Sequence, residues 1–480
     1  MENTIGKWRI LTPHQMTETV RCASYDLFGI VDAYLPYPLA ISDENEFDVA
    51  QHDENLIILG TQANGTLCKS LAASGFFTPE THREGYSIRI APSPYKEGRQ
   101  VIVLCGADDA GLLYAVHAFD MRYLRDMCRY RGYHYNHRFA AFTEQMPAWE
   151  YRSYPKIHRR GIWTWGHAIY DYRGYFRNMS ALGMNHLVVW NDVVPLNAKE
   201  VLAEAHKRGI QIFWGFSCSW GETVHPGDPH DLEKWTARVL DTYTREYAPL
   251  GGDGVYFQAF TETSEKQMEG RPISELVTDW ANAICDALHT VEPSLNIEFG
   301  IHATSIGDMY QTLSGIDPEV AVMWEDCGTF PYAYDPANSA GSGDAIAYTE
   351  KLLSLHGQDT RFAAVLKGFT VLNWSCFSHY HGPIVLGEAP QSFLCERTKE
   401  KQFTWQYARP YWMEQAETLK DYFRVVAESS IRETTVTALI EDGMFECTID
   451  PCAVLFAALL WDWDQETEQL RRMAEHAGTL

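Results

Sequence analysis

Between residues 160 and 374, short apolar runs recur. Each ends in one or two polar residues and gives way to a stretch with helical spacing. The runs predict strands over 160–165, 186–190, 210–216, 254–260, 296–300, 320–324, 362–366 and 370–374. The intervening periodicity predicts helices over 172–182, 198–208 (closed by Gly209), 232–247, 274–291 and 345–355. Strands that alternate with helices form parallel sheets, and near-continuous apolar strands are covered on both faces. Eight such units predict a closed (β/α)8 TIM barrel, an α/β fold. No phosphate-cradling glycine fingerprint follows a strand. Gly251-Gly252 precedes one, which argues against a nucleotide-binding sheet.

In a parallel barrel the C-terminal strand ends converge on one face. Those ends supply Trp165, His167, Asn191, Asp192, Trp220, Glu262, His302, Glu325, Asp326, Lys367 and Trp374. The run Gly254-Val-Tyr-Phe-Gln-Ala-Phe-Thr-Glu262 is the most informative, because a buried strand there runs straight into a carboxylate. Trp165, Trp220 and Trp374 are candidate platforms for the C–H face of a sugar, whereas Trp163, Trp190, Trp324 and Trp405 are assigned to the core. His379 and His381 have no third ligand nearby in sequence, so no metal or other cofactor is expected.

Before the barrel, apolar strands at 55–60, 85–91 and 100–105 and an amphipathic helix over 112–123 predict a small α+β sandwich with its helices on one face. The segment 147–155 reads as a short aromatic linker, so the domains should pack tightly. The expected division is 1–150, 151–395 for the barrel, and a helical C-terminal region over 396–480. That last region is rich in aromatic residues and is a candidate homodimer surface.

A chain of 480 residues with 46% hydrophobic composition can fill two or three cores. Its net charge of −25 argues against nucleic acid or anionic membranes as partners, and no apolar run approaches membrane-spanning length. The start, Met1-Glu-Asn-Thr, lacks a basic region followed by an apolar stretch, and the eleven cysteines form no Cys-x-x-Cys pair. A cytoplasmic protein with reduced thiols is therefore expected.

Several motifs carry a resemblance. Gly60-Thr61, Glu84-Gly-Tyr-Ser-Ile88, and Gly106-Ala-Asp108 with Gly111-Leu-Leu-Tyr-Ala115 resemble the non-catalytic amino-terminal domain shared by family 20 β-hexosaminidases and family 67 α-glucuronidases. Arg160-Gly161 is similar to the barrel entry of family 20, which implies an arginine that binds sugar hydroxyls. The resemblance implies a barrel that hydrolyses glycosidic bonds.

Departures from those patterns narrow the choice. Family 20 places an Asp before the strand-four Glu to support attack by an acetamido group, but this chain has Thr261-Glu262; Asp192 is the candidate to supply that role from another strand. A protein nucleophile on strand seven is also missing, since that position reads Lys367-Gly-Phe-Thr. What remains is similar in plan to the inverting family 67 enzymes, with Glu262 as general acid and Glu325 or Asp326 as the second catalytic group. Arg160 and Lys367 are the candidate cations for the substrate, with an internal ion pair as the other reading of each, above all of Arg160, which starts its strand. Glu298 lies deeper on its strand and is equally consistent with an interior ion pair. The expected function is an exo-acting glycoside hydrolase for a terminal sugar, a uronate among the candidates. A substrate-assisted hexosaminidase and a non-catalytic carbohydrate-binding protein are the alternatives.

Overall fold

The computed structural model describes residues 6–127, 142, 145–191, 193–215, 222–325, 345–355, 357, 359–370, 382–461 and 463–478. The amino-terminal domain is built on a six-stranded sheet. Its order is Ala40–Asp43, Trp8–Thr12, Asn55–Thr61, Gln100–Gly106, Tyr86–Pro92, Trp149–Ser153. The first four are mutually parallel, and Tyr86–Pro92 pairs antiparallel with both of its neighbours. Asn55–Thr61 and Gln100–Gly106 are buried along their whole lengths, as covered strands must be.

Two expectations for this domain are corrected. The helices do not share one face: Glu18–Asp32 and Asp109–Ala118 pack Leu27, Leu112 and Val116 on one side, while Thr66–Ala73 packs Cys68 and Leu71 on the other. A mostly parallel sheet has two apolar faces to cover, and one layer of helices covers only one. The supposed linker is also structural, because Trp149–Ser153 is the edge strand that completes the sheet. The expected tight packing is present. Trp461, from the helix Pro451–Trp461, is buried in the amino-terminal core against Tyr86 and Tyr114.

The barrel closes with eight parallel strands. In chain order they are Arg159–Trp165, His186–Trp190, Gln211–Gly215, Gly254–Gln258, Asn296–Ile301, Val320–Trp324, Arg361–Phe369 and Glu433–Ile440. Helices follow the expected pattern. Ala198–Lys207 ends near Gly209, whose φ of 69° only glycine adopts without cost, and Asp228 caps Pro229–Thr242 by accepting from the His230 N–H. Trp163, Val188, Phe213, Tyr256, Met323 and Val365 fill the lumen, so the barrel is a packed core and not a pore. Trp163, Trp190, Trp324 and Trp405 are buried, as assigned.

The eighth strand is not 370–374. Parallel neighbours need a crossover of a dozen or more residues, and a strand at 370 would follow the seventh with almost no connection. The seventh strand instead runs on to Phe369, and the closing strand is Glu433–Ile440. It pairs with the seventh (Phe362 opposite Thr434) and the first (Val436 opposite Arg160). The barrel therefore extends well past residue 395. Among the described residues, the helices Gln391–Glu400, Gln402–Glu414 and Ala416–Ala427 stand between its last two strands.

Candidate active site

Glu262, His302, Glu325 and Lys367 come from the ends of strands four, five, six and seven, which are consecutive staves of the barrel wall. Lys367 sits where the pairing of strands seven and eight shifts register between Leu366 and Phe369. Such irregularities re-aim side chains beside active sites.

Glu325 is 1% exposed. It accepts a short hydrogen bond from the Tyr256 hydroxyl, and its other oxygen lies 3.4 Å from His302 Nε2. His302 is buried too, with Nδ1 3.2 Å from the Gln258 amide nitrogen and 3.4 Å from the Thr261 hydroxyl. An amide N–H aimed at Nδ1 leaves the ring proton on Nε2, facing Glu325. Burial first, and the Lys367 ammonium second, hold the His302 pKa well below its usual value, so the ring is a neutral donor.

Glu262 contrasts with Glu325. The residue is exposed, yet partial burial of its carboxyl raises its pKa above the ordinary carboxylate value, with Lys367 pulling the other way. One carboxyl at this end of the barrel is thus exposed, and the other is buried and hydrogen-bonded.

Other candidates fall around this cluster. His167, after strand one, is buried and donates from Nδ1 to the Ile440 carbonyl at 2.6 Å, joining the ends of strands one and eight. Burial lowers its pKa. Asn191 is buried after strand two, and Trp165 is half-buried with its ring 5.7 Å from that of Trp190. Asp192, Trp220, Asp326 and Trp374 lie outside the described residues, as do His379 and His381.

Arg160 is a correction. It is fully buried at the opposite end of the barrel, where it is ion-paired with Glu84 of the amino-terminal domain and donates to the carbonyls of Gly183, Ile157 and His158 at 2.8–2.9 Å. Its guanidinium also lies 5.2 Å from the Trp461 ring. A residue that opens a parallel strand stands a full strand length from the catalytic end, so Arg160 joins three parts of the chain and reaches no substrate. Glu298 pairs with His186 at 3.2 Å, both fully buried in the lumen, as its interior reading anticipates.

Residue-level reasoning missed Tyr256, Gln258 and Thr261, the side chains that hold Glu325 and His302. It also missed the buried acid Glu441, which leaves strand eight and meets Lys401 at 3.1 Å. The signal was present, since Val436-Thr-Ala-Leu-Ile440 runs into Glu441-Asp442 in the pattern that marked Glu262.

Neither family models nor curated protein sequences give a match to this chain. Solved structures do. Over 96% of its length the chain is similar to a GH138 enzyme targeting pectin rhamnogalacturonan II, at 13% identity and a TM-score of 0.52. The chain spans only 51% of that protein. Over 98% of its length it is similar to CpGH84B (10% identity, TM-score 0.51, 70% of that chain). The same share matches a GH20 exo-β-N-acetylglucosaminidase from Vibrio harveyi (10% identity, TM-score 0.50, 73% of that chain). The fold is one that glycoside hydrolases use. In this glycoside-hydrolase fold, the four-strand cluster lies at the end of the barrel where such folds carry their chemistry. Among the described residues, no group of three metal-ligating side chains is assembled and no helix is long and apolar enough to cross a membrane.

Proposed function

We propose that the chain is an exo-acting glycoside hydrolase in which Glu262 is the general acid and Glu325 the second catalytic carboxylate. The observation that carries this reading is the pair of unlike carboxyls at the strand ends: one solvent-facing with a raised pKa, one buried and held by Tyr256 and His302. Glycosidic cleavage needs that division. A protonated Glu262 gives its proton to the departing oxygen as the C–O bond breaks, and the Glu325 carboxylate faces the positive charge that develops on the sugar. In the inverting course implied by the family 67 plan, Glu325 takes a proton from the attacking water. That course requires about 6.5–9.5 Å between the two carboxyls, against about 5–5.5 Å for a retaining one.

Lys367 supports an anionic terminal sugar. Its charge acts on both Glu262 and His302, so a uronate carboxylate bound there sits beside the chemistry. A neighbour in fold that targets pectin rhamnogalacturonan II directs the search to pectin-derived oligosaccharides. An acetamido-assisted route would instead need Asp192 for its supporting carboxylate, because the position before Glu262 is Thr261, fully buried and 3.4 Å from His302 Nδ1.

The test is a panel of 4-nitrophenyl glycosides and uronides, with the products followed by NMR. Release of a single monosaccharide, fastest from a uronide, is expected. Sugar binding without turnover on any member would replace the enzyme with a carbohydrate-binding protein, and net retention of configuration would reject the inverting course.

A further inference from the structure

We infer that Tyr256 is a positioning residue for the second carboxylate, and that Tyr256 and Gly300 together form a seat that fixes where Glu325 points. This rests on the catalytic reading of Glu325. Two features of the barrel interior carry it. The first is the hydrogen bond itself: Tyr256, fully buried on strand four, spans the lumen side of strand five to donate its hydroxyl to Glu325 on strand six. The second is a gap. Gly300 lies on the intervening strand, paired with Gln258 on one side and Met323 on the other. A Cβ at that position would collide with the Glu325 carboxyl oxygen and with the Tyr256 hydroxyl. The two atoms meet over the one residue type that leaves room for them.

The phenol cannot swing away. Its ring packs edge-on to Trp163 at 5.4 Å and tilted to Trp190 at 5.2 Å, and both indoles are themselves buried. Burial, then the charge of Glu325, hold the phenol protonated far above neutral pH, with Glu298 and Glu262 adding to the effect. It therefore acts as a donor throughout the working range. Among the described residues, Tyr256 from strand four and His302 from strand five meet Glu325 directly, Glu298 and Glu262 act on Tyr256, and Lys367 from strand seven acts on His302 and Glu262. His302 is neutral, and neither Tyr256 nor His302 carries charge to the carboxylate. Orientation and hydrogen bonding are what these two side chains supply. A carboxylate that accepts a hydrogen bond is favoured in its ionised form, so loss of the phenol makes Glu325 harder to ionise.

The experiment compares Tyr256→Phe, Gly300→Ala and Glu325→Gln with the unaltered protein on the 4-nitrophenyl substrate turned over fastest. Phenylalanine preserves the ring packing, so the thermal midpoint should stay within a few degrees. The acid limb of the kcat/KM profile should move to higher pH by about one unit or more, while the basic limb stays in place. Gly300→Ala should lower kcat at least tenfold with little change in KM, because the carboxyl is displaced and the sugar contacts are not. An acid limb that does not move in Tyr256→Phe, with Glu325→Gln inactive, overturns the seat and leaves the catalytic assignment standing. A Glu325→Gln protein within tenfold of the original activity overturns the catalytic assignment itself. Should Gly300→Ala fail to fold, the pH profile of Tyr256→Phe alone decides.

Discussion

The two mouths of this barrel are lined with the same kinds of charged residue held in unlike settings. At the N-terminal mouth Arg160 meets Glu84, Arg159 meets Glu433 at 3.1 Å, and Arg361 and Arg432 share Glu319 at 3.3 and 2.9 Å. Those cations face carboxylates or carbonyls, and the network ties strands to each other and to the neighbouring domain. At the C-terminal mouth Glu262 and His302 have shifted pKa values, and Lys367 acts on both. Charge that is fully matched contributes cohesion; charge held partly out of water stays ready to exchange protons. Residue type alone does not separate the two roles, and position along the strand does.

The sharpest way to break that contrast is at Glu262. Glu262→Gln should cut hydrolysis of a poor leaving group by about 10²–10⁴-fold and of an activated aryl leaving group by much less, with the urea midpoint unmoved. Equal small losses on both substrates, measured as kcat/KM, would remove Glu262 from the role of acid. Arg160→Met should do the reverse. It removes the buried cation of Glu84 and leaves only the exposed Arg83 at 3.8 Å, so stability should fall by about 3–5 kcal/mol in urea titration while kcat of the folded fraction is retained. Lys367→Met comes next: uronide affinity should drop by about one to two orders of magnitude in calorimetry, with little change for the neutral sugar analogue. Equal losses would move the weight to a neutral sugar.

A smaller effect concerns pH. Activity that needs protonated Glu262 is present below its pKa and is lost as pH rises through it. Because that pKa is raised, the basic limb of the rate profile should stand above the ordinary carboxylate range. Lys367→Met removes the opposing charge and should push the limb higher still. The smallest effect serves as the control. Arg245 and Asp241 form an exposed pair at 2.7 Å, and Arg245→Ala should shift stability by no more than about 0.5 kcal/mol.

Much of this architecture was legible in the sequence because the barrel strands are buried on both faces. Strands two and six have the predicted bounds, and the candidates His302 and Glu325 lie 3.4 Å apart at their strand ends. The failures have physical causes. Arg160 was a candidate for the substrate on a family likeness, although its place at the start of a strand assigns it to the far mouth, where the ion-pair reading holds. The eighth strand was sought too early because an apolar run at 370–374 looked sufficient, and the crossover that a parallel pairing demands was not weighed. Tyr256 was invisible for another reason: in an apolar run a tyrosine reads as core, and only the depth of the lumen reveals what its hydroxyl meets.

The late arrival of the closing strand has a consequence during synthesis. Strand seven is complete at Phe369 and strand eight only at Ile440, about 70 residues later, or roughly 4–14 s at 5–20 residues per second. Throughout that interval the nascent barrel is an open sheet with unpaired edges on strands one and seven, the kind of surface that invites mispairing with another chain. A polypeptide interrupted there already carries Glu262, His302, Glu325 and Lys367, and has no closed wall to hold them in place.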